Sequence, residues 1–200
     1  MTWRGVACVA LGYLLGAFPT GALVGRLRGV DLRQRGSGST GATNAVRVLG
    51  PGAGAVVLAG DAFKGWLAAT AGRHWGGVRW APLAALAALV GHNYSLFLGG
   101  RGGKGVATGL GSLLALAPSA LALGAVAGVP AIALTRHVSL GSLLGTSTAA
   151  AALGGRTLAG RAPATSLAYV VGATALIWYA HRENIARLRA GTERRLGERA

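Results

Sequence analysis

Residues 5–25, 119–135, 139–154 and 164–180 contain no Asp, Glu, Lys, Arg or His, and no other feature constrains the chain as strongly. Uninterrupted apolar runs of this length suit helices crossing a hydrocarbon core about 30 Å thick, where every backbone polar group must be paired within the protein. Less pure stretches complete a set of seven segments: 5–25, 51–71, 80–98, 106–117, 119–135, 139–154 and 164–180. Among all Asp, Glu, Lys and Arg residues, only Asp61 and Lys64 fall inside these segments. The expected fold is all-α, a polytopic membrane helical bundle of about seven transmembrane segments, with residues 1–200 forming one integral membrane domain. Segment 106–117 reaches only about 18 Å as a helix, so it is expected to be a short helix turned at Pro118 and shielded by its neighbours. The first segment, preceded by Arg4, lacks a convincing A-x-A cleavage site and is read as an uncleaved span rather than a signal peptide.

Charge then orients the bundle. Lys and Arg number 20 against 5 Asp and Glu, a formal charge of +15, yet only 12% of residues are charged and 52% are hydrophobic. A disordered basic tail or a histone-like binder of nucleic acid does not fit that balance. With the N-terminus outside, 14 of the 20 basic residues fall in loops 26–50, 99–105, 136–138 and 181–200. The positive-inside rule therefore sets the N-terminus out and the C-terminus in, and the basic loops face the anionic inner leaflet and cytosolic anions. The single cysteine, Cys8, excludes a disulfide framework and a cysteine-ligated metal, and neither metal nor cofactor is expected. Glycines four apart (12/16, 21/25, 105/109, 124/128 and 141/145) predict close helix packing.

Three polar motifs interrupt the apolar pattern on one side. The first, Gly36 to Asn44 followed by Arg47, formally matches G-x-G-x-x-G but follows a membrane segment rather than a strand, so a dinucleotide fold is not implied. Its glycines let backbone N–H groups converge on an anion, while serine and threonine hydroxyls add donors. Ser37, Gly38, Gly41, Asn44 and Arg47 are the candidates. The second, Gly91 to Thr108, lacks the Walker A spacing. It still sets Lys104 among Gly102, Gly103 and Gly105 at a helix start, where N–H groups, the helix partial charge and an ammonium would cradle a phosphate. The third, His181 to Glu193, puts His181, Asn184 and Leu188 on one helical face at the water boundary. Asp61 and Lys64, one turn apart within a span, are expected to pair with each other. Ser139 follows Arg136 and His137 at a segment mouth and could donate to an anion.

Together these residues resemble the PlsY family of bacterial membrane glycerol-3-phosphate acyltransferases over nearly the whole chain. The three motifs carry the resemblance, and Asp61-x-x-Lys64-Gly65 and Ser139-Leu140-Gly141 also fit. Ser39 stands where the family usually has Asn, Ser95 where it has Pro, and Gly100-Arg101 where it has Phe-Lys. The resemblance implies transfer of a fatty acyl group from acyl phosphate to the 1-hydroxyl of sn-glycerol 3-phosphate, giving lysophosphatidic acid and phosphate. It also implies a bacterial cytoplasmic membrane location, an active site facing the cytoplasm, and acyl phosphate supplied by an acyl-carrier-protein-dependent enzyme. By similarity Lys104 and Arg47 bind phosphate groups, Ser37, Ser139 and Asn184 donate hydrogen bonds, and His181 orients substrate or acts as a base. Lys104, His181 and Asn184 form the catalytic set, with Gly38, Gly41, Asn44, Gly102 and Gly103 in the phosphate cradle.

The residues independently suit those substrates. Both are phosphate compounds of roughly two negative charges, matched by a basic face. None of His74, His92, His137 or His181 begins an H-x4-D motif, which disfavours the acyl-CoA donors that motif serves. A mixed anhydride is already activated, so no acyl-enzyme is expected. The alternative reading is a non-enzymatic organophosphate transporter, which would require a midplane site and usually repeat symmetry.

Overall fold

The computed structural model describes residues 3–198, and these form helices without strands. The helices are α1 (Trp3–Ala17), α2 (Thr20–Leu27), α3 (Ala42–Leu49), α4 (Pro51–Ala71), α5 (Ala81–Asn93), α6 (Val106–Leu116), α7 (Pro118–Thr135), α8 (Val138–Leu158), α9 (Thr165–Ala180) and α10 (Arg182–Arg189). Three apolar stretches reach 18 residues or more, Trp3–Leu27, Ala81–Leu98 and Pro118–Thr135, and Val106–Leu116 and Thr165–Ala180 are shorter apolar helices. Large apolar side chains on the outer surface, such as Leu134 at 85% exposure and Val126 at 73%, suit a lipid solvent.

Two expected segments are broken. Residues 5–25 divide at Phe18-Pro19 between α1 and α2, because proline has no N–H to donate and its ring clashes with the preceding turn. The carbonyls released there are capped from elsewhere in the chain: Lys64 Nζ donates to Phe18 O at 3.0 Å and Ser95 Oγ to Ala17 O at 2.6 Å. Ser95 thus closes the break between α1 and α2. Segment 80–98 leaves helical geometry after Asn93, turns through Leu96–Leu98, and folds back so that Gly102 N and Gly103 N donate to Asn93 O and His92 O. The short α6 ends at Ala117, immediately before Pro118 opens α7.

Close backbone approach explains most of the glycine pairs. A Cβ on Gly12 or Gly16 would overlap α5 at the Ala84 and Ala88 carbonyls, and Gly124 and Gly128 meet Gly145 and Gly141 across the α7–α8 pair. Gly105 is the exception. It precedes α6 with φ +84°, a left-handed conformation that a side chain disfavours, so it turns the loop rather than packing a helix. At the centre Leu89, Leu113, Leu153, Tyr169 and Ile177 form one apolar core.

Candidate active site

The loops that the fold brings to one end of the bundle enclose a cavity of about 510 Å³, lined by Ser37, Gly41, Asn44, Arg47, Lys104, Ser139, His181 and Asn184. Eight of the eleven candidate residues therefore meet, although they come from four separate parts of the chain. Gly38, Gly102 and Gly103 do not line the cavity.

The first motif is stitched by Asn44. This buried side chain shares its amide hydrogens among Leu32 O, Arg35 O and Ser39 O at 2.8–3.1 Å and accepts from Ser37 N at 2.8 Å. Its polar atoms are engaged inside the loop, so it shapes the cradle instead of offering a free donor. Gly41 caps α3, with its N–H donating to Ser39 Oγ at 3.2 Å. Arg47, in the last turn of α3, lines the cavity. Burial lowers its pKa, Arg194 adds to that effect and Glu193 opposes it.

In the second motif the glycine N–H groups expected to cradle phosphate are already used, since Gly102 and Gly103 pair with the end of α5. Here the structure corrects the sequence expectation. Glycine is needed at these positions for contact, because a Cβ on Gly102 would overlap His92 O and one on Gly103 the His92 ring. What faces the cavity is Lys104, Gly105 and the first turn of α6, whose leading N–H groups have no partner within the helix. Lys104 Nζ donates to Asn184 Oδ1. Burial pushes the Lys104 pKa down to about 8, with Glu193 opposing and Arg187 and Arg47 reinforcing the fall.

The third motif turns at His181, between α9 and α10. Its Nδ1 lies 2.8 Å from Ile177 O; a carbonyl can only accept, so Nδ1 carries the proton and Nε2 is an acceptor. Burial first, and Lys104 in addition, push the His181 pKa down to about 4 against the raising effect of the Ile177 bond. The imidazole is neutral at physiological pH.

Glu193, not singled out as a candidate, is the hub of this end. Its carboxylate accepts from Ser139 Oγ at 2.8 Å, Asn184 Nδ2 at 2.6 Å and Arg187 Nε at 2.8 Å. Burial opposes its ionisation, but these bonds outweigh that and hold its pKa below the usual value. The segment carrying it is clasped to the α7–α8 turn, where Leu196 N donates to Arg136 O and Arg136 Nη2 to Leu196 O, each at 2.7 Å. An acid among basic residues was the available signal for Glu193; its partners, up to 54 positions away, were not legible.

Asp61 and Lys64 pair as expected, at 2.9 Å, and Asp61 also lies 3.6 Å from His92 Nδ1. Asp61 and His92 line the same cavity, so the buried pair backs the seat of the glycine loop. Among the described residues no His, Cys, Asp and Glu group has the makings of a metal site. The arrangement can bind anions through Arg47, Lys104, hydroxyls and a helix start, beside a neutral imidazole acceptor.

An apolar helical bundle holding a cationic pocket at one end defines an integral membrane protein built to handle an anionic substrate. A sequence model of the family described as Glycerol-3-phosphate acyltransferase matches residues 6–191. Glycerol-3-phosphate acyltransferase of Thermus thermophilus is 49% identical over 95% of this chain and 94% of its own. Glycerol-3-phosphate acyltransferase 1 of Deinococcus radiodurans is 45% identical over 100% and 99%. The crystal structure of PlsY, an integral membrane glycerol 3-phosphate acyltransferase in its glycerol 3-phosphate form, superposes with a TM-score of 0.89 at 38% identity, covering 96% of both chains. Its lysophosphatidic acid form gives 0.86 at 37%, over 96% and 95%. The chain belongs to the PlsY family of glycerol-3-phosphate acyltransferases, multi-pass membrane proteins.

Proposed function

We propose that this protein transfers a fatty acyl group from acyl phosphate to the 1-hydroxyl of sn-glycerol 3-phosphate, releasing 1-acyl-glycerol 3-phosphate and inorganic phosphate. The observation that carries the reading is a junction. The cationic cavity shares Val106, Leu110, Ile132 and Ser142 with an apolar groove of about 460 Å³, so one pocket suits a phosphate head and its neighbour an alkyl tail. A donor with both is an acyl phosphate.

In this reading Arg47 and Lys104 hold the phosphate groups, helped by Ser37 and the start of α6, while Ser139, whose one hydroxyl hydrogen goes to Glu193, seats that carboxylate beside them. Asn184, oriented by Glu193, keeps Lys104 in place, and His181 Nε2 accepts a hydrogen bond from a glycerol hydroxyl. The 1-hydroxyl oxygen attacks the acyl carbon, the carbon–oxygen bond to phosphorus breaks, and the electron pair leaves on phosphate. The hydroxyl proton has two possible destinations. His181, with its pKa near 4, is a weaker base than a phosphate dianion, whose conjugate acid has a pKa of about 6. Breaking the bond to the acyl carbon leaves phosphate one negative charge beyond that dianion and more basic still, so the leaving phosphate takes the hydroxyl proton and departs as the dianion, and the protein contributes positioning and charge stabilisation.

The reading puts this end at the cytoplasmic face of a bacterial inner membrane, with about seven crossings, the N-terminus outside and one domain over residues 1–200; the excess of basic residues in the loops at this end supports that orientation. Acyl phosphate would reach it from an acyl-carrier-protein-dependent enzyme, and the reaction would be the first acylation of phospholipid synthesis. Purified protein given palmitoyl phosphate and glycerol 3-phosphate is expected to form lysophosphatidic acid and phosphate in equal amounts. Counterflow of glycerol 3-phosphate across liposomes, with no product formed, would replace this reading with transport.

A further inference from the structure

The apolar groove has a definite far end. It runs along α8 from Gly141 to Leu153 and along α7 from Ile132 to Leu121, about 18 Å and 16 Å at ~1.5 Å per residue. The two helices are antiparallel neighbours, since Gly141 faces Ile132 and Gly124 faces Gly145 and Ala149. Leu121 and Leu153 therefore lie at the same end, opposite the polar cavity. Leu113, near the end of α6 where the chain turns into α7, and the backbone of Tyr169, near the start of α9, stand toward that end too, and the Tyr169 ring rises from it toward Gly109. Leu113, Leu153 and Tyr169 are buried, Tyr169 fixed by a bond from its hydroxyl to Gly109 O at 3.3 Å. Above this floor the wall is small, with Gly145, Ala149 and Ala173 lining the middle.

We infer that Leu113, Leu121, Leu153 and Tyr169 form the floor of an acyl-chain ruler, which sets the donor length at which the groove is filled. The inference rests on the acyl phosphate reading above. An extended chain advances about 1.2 Å per bond, a third of the reach of one extended residue, so the groove is filled by an acyl chain of about 14 carbons. The donor's tail comes from lipid, which is as apolar as the groove, so burial alone gives little discrimination. Selectivity arises from packing, because a short chain leaves a void above the floor and a void forfeits contacts. Leu114 and Val129 line the groove yet are 53% and 61% exposed, which leaves its side open to lipid. Carbons beyond the floor can turn out there, so activity rises with chain length to about 14 carbons and then levels off.

The test measures kcat/KM for acyl phosphates of 8 to 18 carbons at fixed mole fraction in mixed micelles, on the wild-type protein and three variants. Ala173→Leu fills the groove about one helical turn above Tyr169, and is expected to bring the plateau forward by about four carbons. The same change should lower the advantage of the 16-carbon over the 8-carbon donor about 10-fold. Leu153→Ala deepens the floor and delays the plateau by about two carbons. Leu121→Ala, at a less buried position, makes the same change if Leu153→Ala does not fold. Profiles of Ala173→Leu and the folded floor variant that superimpose on wild type would overturn the ruler. Absence of product from every donor with wild-type protein would instead overturn the acyl phosphate reading.

Discussion

Replacing Lys104 by Met removes one charge from the cavity and keeps a stem of similar length and apolar character. The ammonium is partly buried, and its hydrogen bond to Asn184 holds it at the wall of the cavity that Arg47 and Ser139 also line. A unit charge pair about 4 Å apart at an effective dielectric near 20 interacts by about 4 kcal/mol, and single preorganised donors in active sites contribute about 2.7–4 kcal/mol. Loss of that stabilisation slows turnover by about 10² to 10³-fold. Losing its donor leaves Asn184 Oδ1 beside a polar cavity, where a ligand or solvent can replace it, so insertion and purification should be normal. Arg101 provides the comparison. It is exposed and does not line the cavity, and Arg101→Met should cost less than about 10-fold as a contributor to the general field. Both variants are assayed with palmitoyl phosphate and labelled glycerol 3-phosphate under one set of conditions. Wild-type turnover in Lys104→Met, or a larger defect in Arg101→Met, would refute the reasoning.

The same lysine predicts a pH profile: with its pKa near 8, the charge is present below that value and lost above it, so kcat/KM falls on the alkaline side with a midpoint near 8. His181, near 4, contributes no limb around neutrality, and Lys104→Arg should move the alkaline limb upward; an unmoved limb would assign it to another group. Gly65→Ala forces a methyl into the Thr108 carbonyl on α6 and should destabilise the α4–α6 pair by about 1–3 kcal/mol, read as a lower melting temperature in detergent. Ser95→Ala leaves Ala17 O without its partner and costs about 1–2 kcal/mol. Ser95→Pro should retain more stability than Ser95→Ala, because Ser95 already has φ −65°, the proline value. Ser39→Cys, Arg101→Cys and Thr192→Cys in a Cys8→Ala background should all react with impermeant thiol reagents from the cytoplasmic side, and labelling from outside alone would invert the topology.

The amino-acid sequence by itself determined a helical membrane bundle, because the transfer of a long uncharged run into lipid is a property of the run and needs no partner. It also disclosed that the polar motifs belong together, since glycines, hydroxyls and basic residues recur in three loops, and it picked out Lys104, His181 and Asn184 from their positions in those loops. Tertiary structure alone decided how their atoms are used. The N–H groups of Gly102 and Gly103 are taken by the end of α5, the Asn44 amide is taken by its own loop, and Glu193 gathers Ser139, Asn184 and Arg187. The break at Pro19 was visible in the residue, but not its repair by Lys64 and Ser95, 46 and 78 positions away. Hydropathy and spacing act locally and can be read along the chain, whereas a hydrogen bond depends on which distant group the packing brings within about 3 Å.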